Sequence, residues 1–576
     1  MNIRSYLPIL DWLPKYRTKV LKNDLAAGLT VGVMLIPQGM AYAMIAGLPP
    51  IHGLYAATLP LFIYAIFGTS RQLAVGPAAM VSLLTATGIG ALAEGGTETY
   101  LLLAFSLALL VGLIQLSLGL FRLGFLVNFL SQPVISGFTS AAALIIGFSQ
   151  LKHLLGLDIP RSRYIHEIIG HAIAQFGEIN WVTFAIGIGG IIILKVVKRI
   201  NKAIPRQLVV VVAGILVVWG LGLMGEGVRI VGEIPRGLPV FTAPSFDANQ
   251  WEALLPIALT IALVSFMESI AVAKTIQAKH KDYKVVPNQE LIALGLANIG
   301  GSLVQSFPVT GGLSRSAVND QAGAKTSLAG VFSALLIILT LLFLTPLFYY
   351  LPNAVLASII MVAVFGLIDY KTAVRLRHTD RTDFWMLIIT FIATLTLGIA
   401  AGIGVGVLLS LVMVIYRTTR PHVAILGNVP DSPFYRNVSR FPAIKERPEL
   451  LIMRFDAQLY FANISFVKET IANEMSRKGE ALQAIIINAD STNTVDSSAI
   501  QALEDILNDC QKQGIVLYFT GVKGPVRDAM ERTQLTQKVG RQHFFMNVQE
   551  AVDYFDDKET NEQHPNRLQY TLQSNV

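Results

Sequence analysis

From about Leu25 to Ile415 the chain is a series of long apolar stretches divided by short polar loops; from about Arg417 onward charges recur every few residues. A helix needs about 20 apolar residues to cross the hydrocarbon of a bilayer. Candidate spans begin near residues 25, 52, 77, 99, 125, 180, 207, 252, 287, 312, 326, 353, 383 and 401, about fourteen in all by this measure. Those after Gly76 and Gly312 are too short to cross. Residues 160–178 are amphipathic (YIHEIIGHAIAQF) and are placed at the membrane interface, with His166 and His171 solvated there. The predicted organisation is an N-terminal cytoplasmic segment at 1–24, a transmembrane domain at 25–420, a linker at 421–449, a small α/β domain at 450–556 and a disordered tail at 557–576.

Composition agrees with a membrane protein. Apolar residues make up 53% and charged residues 14%, where soluble proteins carry about a quarter charged. The net charge of +7 is no nucleic-acid signal, because the basic residues sit in short clusters between spans. Placing the N-terminus inside and alternating puts Lys195, Lys198, Arg199, Lys202, Arg206, Lys279, Lys281, Lys284, Lys371, Arg375, Arg377 and Arg381 in internal loops. The resulting internal excess of Lys and Arg is roughly fourfold, which orients the chain. Both termini are then cytoplasmic, and the single cysteine, Cys510, lies in a reducing compartment. The opening segment has no cleavable signal and reads as a helix lying on the membrane surface. No Cys/His cluster has metal-site spacing, so neither metal nor cofactor is expected.

Seven spans precede the loop at 225–250 and seven follow it. An odd number per half gives the halves opposite orientations, an inverted repeat. LSQPVISGFTSAAALIIGF (130–148) and YLPNAVLASIIMVAVFGLI (350–368) are similar in kind, each with proline near the start and small residues before an apolar run. The two short spans, third and tenth, each follow an extended Gly/Pro segment, QLAVGPAAM (72–80) and SFPVTGGLSRSAVN (306–319). Non-helical backbone at membrane depth survives only when buried in protein or lining a cavity, and paired broken helices in inverted repeats point to a midplane substrate site. Helices starting at Ala78 and Leu313 aim free N–H groups and positive dipole ends at a common point, which makes an anion site.

Two ionisable residues stand out inside the apolar spans: Glu268 in the eighth and Arg315 in the first turn of the tenth. Such charges are costly in a membrane and are paired or functional. One reading is that the two neutralise each other. The other gives Arg315 to an anion and makes Glu268 a protonatable site, neutral when the anion is bound. Gln38 and Tyr42 share a face of the first span and offer an amide and a phenol as donors; they also read as ordinary interhelical hydrogen-bonding residues. Pro37 and Gly39 are expected to loosen that helix. Ser314 offers a hydroxyl beside Arg315, or a helix cap. The candidate substrate-binding residues are thus Gln38, Tyr42, Ala78, Gly312, Leu313, Ser314 and Arg315, with Glu268 for proton coupling.

These stretches resemble a known family. PPIHGLYAATLPLFIYAIFGTSRQLAVGP (49–77), FMESIAVAK (266–274) and FPVTGGLSRSAVNDQAGAKTSLAG (307–330) are similar to the signature region, eighth span and tenth span of the sulfate permease (SulP) anion transporters. The resemblance runs from about residue 20 to 555. It implies fourteen spans as a seven-plus-seven inverted repeat. Spans 1–4 and 8–11 would form a core that slides as an elevator against a gate of spans 5–7 and 12–14, within a homodimer. It maps the family's arginine and preceding serine to Arg315 and Ser314, its eighth-span carboxylate to Glu268, and the glutamine and tyrosine of plant-type sulfate transporters to Gln38 and Tyr42. Some bicarbonate-carrying members lack the arginine and place an acid for sodium near the position of Thr69. This chain keeps Arg315 and has no acid at Thr69, which favours sulfate with a proton. The alternatives are sodium-coupled bicarbonate or dicarboxylate transport, an exchanger or channel of the same fold, and a nucleobase permease, against which Arg315 argues. A membrane enzyme has no nucleophile–base pair to support it. The resemblance places the protein in a cell membrane, a bacterial inner membrane, as a multi-pass chain.

In the tail, LLIMRFDAQLYFAN, ALQAIIINAD and GIVLYFTGV read as strands, and FVKETIANEMSRK and SSAIQALEDILNDCQKQ as amphipathic helices. Alternation predicts a small α/β sandwich, and this region resembles a STAS domain. Asp496, Ser497 and Ser498 match that module's DSS motif, where a serine is a phosphorylation site in bacterial antagonists; the same residues also read as a plain helix cap. Leu450 to Tyr460 is apolar enough to be a dimer contact.

Overall fold

The structure, a computed structural model, describes residues 7–125, 131–160, 165–200, 205–245, 247–441 and 443–556. Met1–Ser410 and Leu411–Val576 form two compact units.

In the first unit the apolar stretches are helical: α1 (Thr18–Ala46), α2 (Ile51–Phe67), α3 (Ala79–Ile89), α4 (Glu98–Leu120), α5 (Gln132–Ser149), α6 (Trp181–Ile200) and α7 (Arg206–Gly220). The second half supplies α8 (Ala248–Gln277), α9 (Pro287–Ser302), α10 (Leu313–Gln321), α11 (Leu328–Phe348), α12 (Asn353–Phe365), α13 (Arg381–Leu397) and α14 (Ile399–Thr419). Among the described residues, seven helices are long and apolar enough to cross a membrane by themselves, including α1, α4 and α8. Ile165–Ala174 is a short separate helix, as the amphipathic pattern predicts.

The helix that carries the first expected span, α1, begins at Thr18. Asp24 on it is fully buried, and its carboxylate accepts from the backbone N–H groups of Lys325 and Thr326 (2.6 and 3.0 Å) and from the hydroxyls of Thr326 and Tyr16 (2.5 and 3.1 Å). The loop after α10 is thus tied to α1 at Asp24, while Thr18, Lys19 and Lys22 before it are exposed. Pro37 lies inside α1, which runs unbroken from Thr18 to Ala46. The helix presses on α2 there: a Cβ on Gly53 would stand 1.9 Å from the carbonyl oxygen of Gly39. Small residues let helices approach this closely. The same device seats α4 on α9, where a Cβ on Gly112 would meet the Gly295 oxygen at 2.7 Å.

Two short strands interrupt the helices. β1 (Val75–Gly76) pairs antiparallel with β2 (Thr310–Gly311), Val75 opposite Gly311 and Gly76 opposite Thr310. Each strand runs directly into a short helix, β1 into α3 and β2 into α10, the corresponding elements of the two halves.

The second unit holds a six-stranded sheet. Its strands are β3 (Val423–Asn428), β4 (Tyr435–Asn437), β5 (Leu450–Phe455), β6 (Ala484–Asn488), β7 (Val516–Thr520) and β8 (Phe544–Phe545), in the order β4-β3-β5-β6-β7-β8. β5 to β8 are parallel and β3 antiparallel to both its neighbours. Helices α15 (Ile464–Lys478), α16 (Ser497–Lys512) and α17 (Gly524–Arg532) pack on one face, and α18 (Val548–Asp556) on the other. The segment expected as a linker, 421–449, therefore supplies two strands of the sheet. Of Leu450–Tyr460, expected as a dimer contact, Leu450–Phe455 is an interior strand: β3 and β6 take its backbone on both sides, and its apolar side chains are buried. The tail at 557–576 lies outside the described residues.

Candidate anion site

The antiparallel pair of β1 and β2, a hairpin in shape although no turn joins its strands, is too short to hold itself together, and buried side chains complete it. Asn298 on α9 accepts from the Val309 N–H (2.8 Å) and donates to the Val309 carbonyl (3.2 Å) and to Gln115 Oε1 (3.1 Å). Ser269 on α8 accepts from the Gly311 N–H (2.8 Å), and Thr310 donates to the Ser265 carbonyl (2.7 Å). On the other side, the Ala74 N–H donates to Ser316 Oγ (2.9 Å) and Asn319 donates to the Gln72 carbonyl (3.0 Å). Buried polar backbone must be satisfied somewhere, and here three helices, α8, α9 and α10, do it.

The consequence is that α3 and α10 start from one fixed platform. Their N-cap residues, Ala78 and Gly312, have extended backbone and no side-chain cap. Helix starts of this kind present unsatisfied N–H groups and a partial positive charge of about one half each. α1, which carries Gln38 and Tyr42, packs against both short helices, and α8, which carries Glu268, packs against α3, α10 and β2.

Arg315 lies in the first turn of α10 with only 1% of its surface exposed. Its Nη1 donates to the Pro77 carbonyl, and its Nε and Nη2 have no hydrogen-bond partner. A Cβ on Gly76 would stand 3.6 Å from Nη2 and 3.7 Å from Leu35, one turn before Gln38 on α1. Gln38 and Tyr42 are buried, and Gln38 Oε1 also has no partner. Arg315, Tyr42 and Glu268 lie within one another's electrostatic reach. Glu268 Oε2 is buried without a partner, and Glu268 and Arg315 form no ion pair among the described residues. Direct neutralisation of the two is therefore not what the geometry shows.

Gln38, Tyr42, Ala78, Gly312, Arg315 and Glu268 thus converge on the hairpin. Leu313 and Ser314 are exposed in the first turn of α10, Leu313 at 52%. One detail of the expected site changes. The Gly312 N–H donates to the Ala74 carbonyl at 3.1 Å, so it is already bonded. What Gly312 contributes is room: a Cβ there would stand 2.8 Å from the guanidinium of Arg315. In the second unit, Asp496 caps α16, accepting from the Ala499 N–H at 2.8 Å, while Ser497 and Ser498 are exposed in its first turn.

Sequence reasoning missed Glu290. It is fully buried at the start of α9 and accepts from the Thr69 N–H (2.7 Å) and hydroxyl (2.5 Å), the Ser70 N–H (3.0 Å) and the Tyr64 hydroxyl (2.8 Å). It anchors the segment that leads into β1. In the sequence, an acid in a first helical turn reads as an ordinary partner of the helix dipole, and only its contacts show the second role. A cavity of 570 Å³ opens at the C-terminal ends of α1, α3 and α5, lined by Ile45, Leu83, Ala86, Ile145, Lys152 and His153 among others.

The fold and site define a polytopic helical membrane protein built around a pair of broken helices, with an appended α/β domain. The model of the sulfate permease family matches residues 21–390, and that of the STAS domain matches 441–551. The chain is 41% identical to "Sulfate transporter 4.1, chloroplastic" of Arabidopsis thaliana, over 96% of this chain and 82% of that protein. It is 34% identical to "Sulfate transporter 3.1" of the same plant, over 96% and 87%. A structure of the murine Solute Carrier 26 family member A9 anion transporter in the inward-facing state superposes with a TM-score of 0.88 at 28% identity, covering 96% of this chain and 94% of that one. The transmembrane domain of the cyanobacterium bicarbonate transporter BicA superposes at 0.61 with 24% identity, over 67% and 98%, a likeness of fold. This chain belongs to the sulfate permease family and carries a C-terminal STAS domain.

Proposed function

We propose that this chain is a secondary active transporter of sulfate, coupled to protons, in which the anion binds between the N-termini of α3 and α10. The observation that carries this reading is Arg315: a buried guanidinium with two unpartnered nitrogens, set between two uncapped helix starts. A tetrahedral oxyanion supplies acceptors for such donors. Gln38 and Tyr42 would add an amide and a phenol from α1, and Leu313 and Ser314 the backbone and hydroxyl of the first turn of α10. The names of the Arabidopsis relatives support sulfate among oxyanions.

Charge balance gives Glu268 its role. Sulfate brings two negative charges, and Arg315 offsets one; the helix ends contribute about half a charge each, less after screening. An ionised Glu268 would cancel Arg315 and repel the anion. A protonated one leaves the arginine free and can donate a hydrogen bond. Proton and anion then bind with positive coupling, which linkage makes reciprocal, so lower external pH tightens the apparent anion affinity. Movement is by an elevator: α1–α4 and α8–α11 carry the site past α5–α7 and α12–α14. The cavity lined by α1 and α3 on one side and α5 on the other supports an access path between these two sets. The chain works as a homodimer with cytoplasmic termini in a bacterial inner membrane; at the DSS motif the plain helix cap is the favoured reading, and phosphorylation of Ser497 or Ser498 is the alternative.

The test is paired, in one set of liposomes. Glu268→Gln mimics the neutral carboxyl, so it binds and exchanges sulfate in counterflow but does not concentrate it when a pH gradient is imposed. A Glu268→Gln protein that accumulates sulfate as well as the unmodified chain overturns the assignment of Glu268. Uptake driven by sodium, or competition by bicarbonate or dicarboxylate in place of sulfate, overturns the coupling ion or the substrate.

A further inference from the structure

A second concave, basic site lies away from the hairpin. Just past the end of α4 the chain turns sharply: the Leu123 N–H returns to the Leu118 carbonyl (2.8 Å) and the Arg122 N–H to Gly119 (3.1 Å). Arg122 sits in the turn with φ +59°, the left-handed region. Glycine takes this conformation without steric cost, and an arginine side chain does not. Asn288, at the start of α9, fixes the turn by accepting from the Gly124 N–H at 2.9 Å. The last turn of α8 contributes Lys274. Between these three helix ends is a cavity of 280 Å³ lined by Arg122, Phe125, Ile270, Lys274, Pro287 and Asn288.

Its chemistry is two-sided. Arg122 and Lys274 are exposed, and neither forms an ion pair among the described residues. Directly beside them stand exposed apolar side chains, Leu120 at 60%, Phe121 at 76% and Phe125 at 53%. Glu290, two residues after Asn288, does not oppose the cations, because its carboxylate is held by Thr69, Ser70 and Tyr64 at the far side of α9. A lysine near a helix C-terminus is explained by the helix dipole alone. That leaves unexplained an arginine in a glycine-favouring position and the hollow between the two cations. By the distribution of Lys and Arg, all three helix ends lie on the cytoplasmic side, where anionic lipids raise the affinity of basic groups.

We propose that this cavity binds the phosphate of an anionic phospholipid of the cytoplasmic leaflet. Arg122 and Lys274 take the phosphate, and Leu120, Phe121 and Phe125 lie along the glycerol and the start of the acyl chains. The lipid would touch α4, α8 and α9 and no other helix, and Lys274 stands on the same helix as Glu268.

The test uses the full-length chain released from nanodiscs of phosphatidylcholine with a minority of phosphatidylglycerol, and native mass spectrometry to count retained lipids. Each cation near a membrane surface raises anionic-lipid affinity about fivefold. Arg122→Gly with Lys274→Gln should therefore lower retention of phosphatidylglycerol roughly 25-fold and leave phosphatidylcholine unchanged. Arg122→Gly also relieves the left-handed backbone, so the thermal midpoint in pure phosphatidylcholine should hold or rise. Arg122→Lys with Lys274→Arg keeps both charges and should keep the lipid, which separates the charge from any packing defect. Equal retention by the charge-deleted protein overturns the proposal. So does displacement of the lipid by millimolar inorganic phosphate, which would mark a site for free anions.

Discussion

Among the described residues the molecule contains two β-sheets, and they are held by opposite means. In the second unit, β5, β6 and β7 pair over five residues each, satisfy their own backbone and bury apolar side chains on both faces. In the membrane unit, β1 and β2 pair over two residues, and the backbone groups of Gln72, Ala74, Val309 and Gly311 are met by side chains from α8, α9 or α10. A large sheet gains from hydrophobic burial, which is non-directional and tolerant. A two-residue hairpin among apolar helices gains nothing from burial that its surroundings do not already have. It persists because each amide, hydroxyl and carboxamide has one place to go, and losing one leaves a buried group unpaired. The same polar framework fixes where α3 and α10 start. The anion site is therefore expected to be intolerant of small polar changes, and the sheet sensitive mainly to volume.

The largest departure should come from removing the buried charge itself. Arg315→Ala should weaken sulfate uptake by at least about 100-fold, the scale for losing one partner of a buried charged contact. Arg315→Lys should recover it only in part, because lysine keeps the charge and loses the planar fork. Radiolabelled uptake into liposomes decides this; near-normal uptake with alanine would place the site elsewhere. Next in size is Asn298→Leu, close in volume and without hydrogen bonds. It strands both backbone groups of Val309 and one side of Gln115. At about 1–3 kcal/mol for each buried unpaired group, the hairpin should shift and anion affinity fall about tenfold or more. Unchanged affinity would mean that the hairpin holds without its side-chain scaffold.

What could be read in the sequence follows the same division. Arg315 and Glu268 stand out because charges are sparse in the apolar runs around them, and the breaks at QLAVGPAAM and VTGGLS stand out because Gly and Pro do not continue a helix. The sheet strands β5, β6 and β7 are apolar enough to be recognised by composition alone. Asn298, Ser269, Ser316 and Glu290 could not be found this way. Single polar residues are common in such helices, and the groups they bind lie as far away as position 69 does from 290. β3 and β4 were missed for another reason: Pro421, Pro430 and Pro433 make that stretch read as a linker, and proline is tolerated next to strands at a sheet edge.

In the sheet, the informative change is one of volume. Leu451→Ala removes a fully buried side chain from β5, at a cost of about 2–5 kcal/mol. Cys510 reports on it in the whole protein. The thiol is buried, and burial pushes its pKa up to about 12, so it stays protonated at neutral pH and unreactive while the domain is folded. Maleimide labelling of Leu451→Ala should be faster by roughly 30-fold or more, in proportion to the larger unfolded fraction. Anion affinity at the hairpin should stay the same. A shifted affinity would show that the two units are energetically coupled.

The smallest expected effect tests whether the DSS motif is only a cap. Asp496 accepts from the Ala499 N–H with Oδ1 and from the Phe461 N–H with Oδ2, both at 2.8 Å. It therefore closes the start of α16 and pins the turn before α15. Asp496→Ala should cost about 1–2 kcal/mol, the range for a lost N-cap, and raise Cys510 labelling about tenfold. Asp496→Asn keeps an acceptor for Ala499 and forfeits the one for Phe461. Because Phe461 is exposed, water can take that N–H, and the asparagine variant should lose only a few tenths of a kcal/mol. Transport should follow stability in both variants, falling less than about twofold, since a cap of this size leaves the folded fraction near one. A different outcome would separate architecture from control. If Asp496→Asn transports poorly while Cys510 stays as protected as in the unmodified chain, the carboxylate beside Ser497 acts on transport directly, as a switch at this position requires and a helix cap does not.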